Sequence, residues 1–95
     1  MTTRSFATLQ MNGRAFRAHD GILYLDAPTS WHARADVAGP IGSIDGAAVP
    51  VTLISPEGQR WTGLAVVEAT TTGPASTTIR MDSAGPLAGV GGHLP

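Results

Sequence analysis

The residues best suited to chemistry in this chain are Ser30, His32 and Asp36, which carry the types needed for a nucleophile, a base and an orienting carboxylate. They fall on one alternating stretch. Same-face neighbours on an extended strand sit roughly 6.5 to 7 Å apart at the backbone, and neither a nucleophile elbow nor an oxyanion-hole turn surrounds Ser30. The spacing therefore predicts a solvated polar stripe, His32-x-Arg34-x-Asp36, rather than a triad. His19, His32 and His93 lack the short-spaced pairing of helical or finger-type metal sites, and the chain has no cysteine to add a thiolate. Asp20, Asp26 and Asp45 fall at turns, where Asp caps its own backbone. None begins the run of alternating oxygen donors that a calcium loop needs. The Gly-rich C-terminal stretch lacks Lys-Ser or Lys-Thr and a strand-to-helix context, so it does not read as a phosphate cradle. The expectation is a non-enzymatic chain without metal or cofactor.

Two tryptophans, Trp31 and Trp61, join Tyr24, Phe6 and Phe16 as the aromatic set. Packing is their default use. The alternative is an exposed Trp platform that stacks a sugar or a peptide. Thr70-Thr71-Thr72 and Thr77-Thr78 are uncharged and suited to strands, and at a subunit contact they would supply hydrogen bonds without desolvating a charge.

The elements that must position these residues are short and extended. Gly, Pro, Asn and Asp recur at roughly ten-residue intervals: Asn12-Gly13, Asp20-Gly21, Gly39-Pro40, Asp45-Gly46, Pro56-Glu57-Gly58, Gly73-Pro74 and Gly85-Pro86. Each supplies positive φ or a preset φ. Ser5 to Met11 alternates with Ala7, Leu9 and Met11 on one face. A two-residue turn at Asn12-Gly13 then leads to Arg14–Ala18, with Phe16 and Ala18 inward. Ile22 to Leu25 reads as a short strand covered on both sides. Ser30 to Val37 has Trp31, Ala33, Ala35 and Val37 on its buried face. Gly39 to Ala48 reads as a longer connection, and Val49 to Ser55 as a strand whose Pro50 belongs at a strand end or an edge. Arg60 to Ala69 places Trp61, Gly63, Ala65, Val67 and Ala69 on one face. Gly63 there marks a bulge or the close approach of another backbone, under Trp61 or Trp31. Thr70 to Ala75 reads as a polar loop, and Ser76 to Asp82 turns Thr77, Ile79 and Met81 inward. The prediction is an all-β fold, a small single-domain barrel or sandwich of about six to eight antiparallel strands with extended terminal arms. Residues 1–82 would be the β-domain and 83–95 a Gly/Pro-rich C-terminal arm.

Ninety-five residues suffice for one core. Charged residues make up 14% of the chain and the net charge is −1, against roughly 25% charged in an ordinary domain. A surface so neutral tends to associate. All the basic residues are Arg. This fits a GC-rich coding sequence and also fits interfaces, where Arg is enriched over Lys. Arg4, Arg14, Arg17, Arg34, Arg60 and Arg80 are scattered among seven acids, which argues against nucleic acid as a partner. Met1 to Met11 carries no continuous apolar run, so neither a secretory signal nor a membrane anchor is expected, and synthesis and assembly would be cytoplasmic.

The segment Asp45-Gly46, Val49-Pro50-Val51-Thr52-Leu53, then Pro56-Glu57-Gly58-x-Arg60-Trp61-x-Gly63-x-Ala65-Val66-Val67, then Ala84-Gly85-Pro86-Leu87 resembles small structural proteins of tailed bacteriophages, especially those from GC-rich actinobacterial hosts. The resemblance covers about half the chain and implies a non-enzymatic virion subunit on a β-barrel or sandwich. Its first version is a capsid decoration protein that binds the outer shell of the head, because the chain is short for a tail-tube subunit and lacks a long insertion loop. A tail or head-to-tail component is the second version. A stand-alone carbohydrate- or peptide-binding module is the reading from a different class. As a virion subunit the chain would meet other capsid or tail proteins and form a homo-oligomer in the assembly. The contact residues expected are Thr2, Thr3, Arg4, Ser5 and Phe6 in the first arm, Pro86, Leu87, Val90, His93 and Leu94 in the last, and Arg34, Trp61 and Arg80 as anchors.

Overall fold

The computed structural model describes residues 2–11, 13–27, 30–38, 48–73 and 75–90. They form seven strands: β1 (Thr2–Met11), β2 (Arg14–Ala27), β3 (Ser30–Ala38), β4 (Ala48–Ile54), β5 (Arg60–Gly73), β6 (Ser76–Ser83) and β7 (Ala88–Val90). Two meanders, β1-β2-β3 and β4-β5-β6, are joined edge to edge. β4 pairs with β1 and β6 pairs with β3, all antiparallel. The result is a closed six-stranded barrel, to which β7 adds a short ladder against the start of β5. Closure removes the free edges that an open sandwich of this length would present.

The turns form for the reasons their residues suggest. Met11 pairs with Arg14 across a two-residue loop in which Gly13 has φ +73°. Asn12, its companion, lies outside the described residues. Between β4 and β5, Gly58 takes φ +91° while the Gly58 N–H donates to the Ser55 carbonyl at 3.0 Å. Ser55 Oγ accepts from the Gln59 N–H at 3.0 Å, which satisfies a turn donor with a side chain. Pro50 sits where the β1–β4 ladder has stopped: that ladder runs only from Ile54 to Val51, so the missing N–H has no β1 partner to lose. The connection read at Gly39 to Ala48 lies outside the described residues except for Ala48, which opens β4.

The core is made by the inward rows. Trp31, Ala33, Ala35 and Val37 of β3 are buried, as are Val51 and Leu53 of β4, Trp61, Ala65 and Val67 of β5, and Thr77, Ile79 and Met81 of β6. Bulky and small residues interdigitate, as the narrow interior of a small barrel requires. The clearest instance is Gly63, where a Cβ would stand 3.2 Å from Trp31 Cζ2 and 3.0 Å from the Pro86 carbonyl oxygen. Gly63 is thus the close approach that its place in a strand suggests, with Trp31 as the ring above it. Trp31 Nε1 donates to the Gly85 carbonyl at 3.0 Å and ties the same segment down.

Several elements depart from the expectation. Alternation in β1 predicts Ala7 inward, yet Phe6 is 2% exposed and Ala7 is half-buried. The register slips between Phe6 and Thr8, opposite His19 and Asp20 of β2, so the inward parity of both strands flips there. Asp20 holds φ +54°, and a Cβ on the adjacent Gly21 would collide with the Phe6 carbonyl oxygen. This is a bulged corner that bends the wall around the core. It also makes one continuous β2 from the two strands expected, with Ile22 36% exposed rather than covered on both sides. β5 runs on to Gly73 through the stretch read as a loop, and Ala69 is exposed near its far end.

The terminal segments are walls where arms were expected. Thr2 to Phe6 pair with Leu25 to Gly21. Past β6, the Ala84 N–H donates to the Leu64 carbonyl at 2.9 Å, Leu87 is 2% exposed, and β7 pairs with Arg60–Thr62. Residues 91–95, including His93 and Leu94, lie outside the described residues.

Candidate functional site

With the interior filled, chemistry is left to the outer wall, and the sheet registers decide which outward residues meet. On the half formed by β2, β3 and β6, three rungs run across the strands. The first aligns Tyr24, His32 and Asp82, the second Ile22, Arg34 and Arg80, and the third Asp36 and Thr78. β5 extends them with Val66, Glu68 and Thr70 respectively. Together they border a shallow groove of about 460 Å³ lined by Tyr24, His32, Arg34, Thr70, Thr78, Arg80 and Asp82.

Each side chain is positioned by its rung. The rings of Tyr24 and His32 stack with centroids 4.6 Å apart and an interplanar angle of 15°, a cross-strand pair that fixes the β2–β3 register at one border. Thr78 Oγ1 donates to Asp36 Oδ1 at 2.6 Å, a charge-assisted bond that fixes β3 against β6 at the other. Between these borders Arg34 and Arg80 are paired directly across the β3–β6 ladder, both exposed. Cβ atoms so paired are about 4.5 to 5.5 Å apart, and like charges there destabilise the sheet. The arrangement presents two guanidinium forks to solvent, with carboxylates at Asp36, Asp82 and Glu68 around them, and suits bidentate recognition of a carboxylate on another molecule.

The other candidates are dispersed. Ser30, His32 and Asp36 all lie on the solvent side of β3, but the six steps from Ser30 to Asp36 span about 20 Å of strand, and His32 and Asp36 are engaged with Tyr24 and Thr78. His19 is exposed on β2 opposite Asp36. Among the described residues no three His, Asp or Glu side chains gather in a metal-binding group. Phe6, Trp61 and Leu87, expected as contact residues, belong to the core: Trp61 is 1% exposed, and the other two pack in the same cluster. Trp61 alternates with outward residues on β5, and Leu87 is buried in the segment between β6 and β7, so an arm or an anchor at these positions would have to leave the barrel. Thr3, Arg4, Ser5 and Pro86 are exposed on the wall, and Thr2 and Val90 lie within strands. The Arg34–Arg80 rung went unread in the sequence because residues so far apart in the chain meet only when β3 and β6 close the barrel.

No protein-family model matches the chain, and no curated protein or solved structure is significantly similar to it.

Proposed function

We propose that this barrel is a non-enzymatic structural subunit of a tailed-phage virion, a decoration protein that binds the outer shell of the head. The observation that carries the reading is the Arg34–Arg80 pair at the centre of the polar groove. Glu68 stands opposite Arg80 across the β5–β6 ladder and answers that guanidinium, whereas the direct cross-strand neighbours of Arg34 are Ile22 and Arg80; an acidic patch on a neighbouring subunit would give Arg34 the charge-assisted hydrogen bonds it lacks within its rung. A low charge content and independence from disulfides suit a subunit assembled in a reducing cytoplasm. The sugar- or peptide-stacking alternative needs an exposed Trp, and both Trp31 and Trp61 are buried.

The test is to disrupt virions made by cells carrying this gene, separate heads from tails on a gradient, and measure the chain in each fraction by mass spectrometry. Presence on heads, lost when Arg34→Glu and Arg80→Glu are combined, is the expected result. Presence on tails alone favours the tail-component version, and absence from particles overturns the virion reading.

A further inference from the structure

The half of the wall formed by β4 and the first part of β5 has a different exterior. Its outward positions are Ala48, Pro50 and Thr52 on β4 and Thr62, Leu64 and Val66 on β5, none of them charged. Leu64 is the centre of this facet and is 44% exposed, with Pro50 as its cross-strand neighbour. Thr52 and Thr62 face each other with hydroxyls 3.4 Å apart. Charge begins only at the two ends of the outward row of β5, at Arg60 and Glu68, each four residues from Leu64. Arg80 stands beside Glu68 across the β5–β6 ladder, but the other neighbouring charges differ in sign between the two ends. Arg17 lies on the rung that reaches Arg60 through Thr8 and Ile54, and Asp82 lies beside Val66 near the Glu68 end.

We infer that this facet is a contact between two copies of the chain, related by a two-fold axis over Leu64. The rotation brings Leu64 onto itself and sets Arg60 of each copy against the partner's Glu68, so the basic end of one facet meets the acidic end of the other. Self-complementarity of this kind is what an isologous interface demands, and the uncharged middle brings no like charges together. From Arg60 to Glu68 the facet is about 27 Å long, and β4, β5 and β7 give it a width of roughly 10 to 15 Å. That is below the ~800 Å² per partner of a standard stable interface, so the dimer is a weak one that forms at high local concentration. The inference rests on this facet alone and does not require the virion reading.

The experiment is sedimentation equilibrium on the full chain between about 10 μM and about 1 mM. The expected mass rises from one chain to two and stops there. Leu64→Asp keeps the protein monomeric throughout. Arg60→Glu and Glu68→Arg each weaken association by about tenfold, since two symmetry-related pairs are reversed together. Glu68 also neighbours Arg80 across the β5–β6 ladder, so the decisive variant combines Arg60→Glu with Glu68→Arg. Recovery of dimerisation in that double variant supports the two-fold register. A wild-type monomer at the highest concentration overturns it, as does association that ignores Leu64→Asp or a double variant no better than either single. Concentration-dependent amide shifts in the wild type should cluster at Pro50's neighbours, Thr62, Leu64 and Val66. Shifts confined to the Arg34–Arg80 groove would equally overturn the inference.

Discussion

Gly63→Ala tests the packing argument most sharply, because two opposing effects of known size act on one methyl group. Replacing glycine in a strand restricts the unfolded chain and by itself stabilises by about 0.4 to 1 kcal/mol. Against this, the new Cβ would stand 3.0 Å from the Pro86 carbonyl oxygen, 3.2 Å from Leu87 Cδ1 and 3.2 Å from Trp31 Cζ2. Leu87 could turn aside, but the Pro86 oxygen is backbone, and Trp31 is held by its bond to Gly85. Overpacking of this kind costs about 1 to 3 kcal/mol, so the cost wins and the net change is a loss of about 1 to 2 kcal/mol. For a domain of this size that is a fall in Tm of roughly 4 to 16 °C. Urea unfolding followed by tryptophan fluorescence, with thermal melts beside it, gives both numbers. Gly85→Ala is the matched control: its Cβ would meet Leu64 Cβ at 3.8 Å, an ordinary contact, and the variant should equal or slightly exceed wild-type stability. A Gly63→Ala protein as stable as wild type, or one no worse than Gly85→Ala, would refute the close approach of Trp31 and the 86–87 backbone.

The two tryptophans should respond unequally to Phe. Trp31 Nε1 has the Gly85 carbonyl, whereas Trp61 Nε1 is buried with no hydrogen-bond partner among the described residues; deleting an unsatisfied buried donor returns about 1 to 3 kcal/mol of desolvation. In chemical denaturation Trp61→Phe should therefore cost at least about 1 kcal/mol less than Trp31→Phe, and equal losses would contradict the assignment of partners. Gly21→Ala, which drives a Cβ into the Phe6 carbonyl at the bulged corner, should lose about 3 kcal/mol or more and yield little folded protein by circular dichroism; a soluble variant with a wild-type melt would show that the corner can move.

Local chemistry foretold much of the barrel. Gly13 and Gly58 take the positive φ their turns require, the Trp31-x-Ala33-x-Ala35-x-Val37 row is buried, and Gly63 sits beneath Trp31. The misreadings share a cause. Ala7, Leu9 and Met11 alternate as convincingly as Phe6 and Leu9 do not, because the parity flip is produced by a bulge in the facing strand and leaves no mark within β1. The 84–90 segment has the composition of a tail, yet Leu87 is buried in the same core cluster as Trp31, close to the space that a side chain on Gly63 would have taken. Of the candidate site, Arg34 and Arg80 could be named singly. Their opposition could not, since it depends on a ladder between distant strands.

The two ladders that shut the barrel also govern how it is reached. Along β3–β6, Ala38 pairs with Ser76 and His32 with Asp82, separations of 38 and 50 residues, and β1 meets β4 across a similar span. Each meander can zip locally, but neither covers its apolar face until the other arrives, and loop closure over such distances places folding in the slow range typical of non-local β topologies. A nascent chain that has not yet delivered β6 therefore holds β3 with a bare edge and Trp31, Ala33 and Ala35 uncovered. Protection from wrong pairing comes late, and it comes to both seams together.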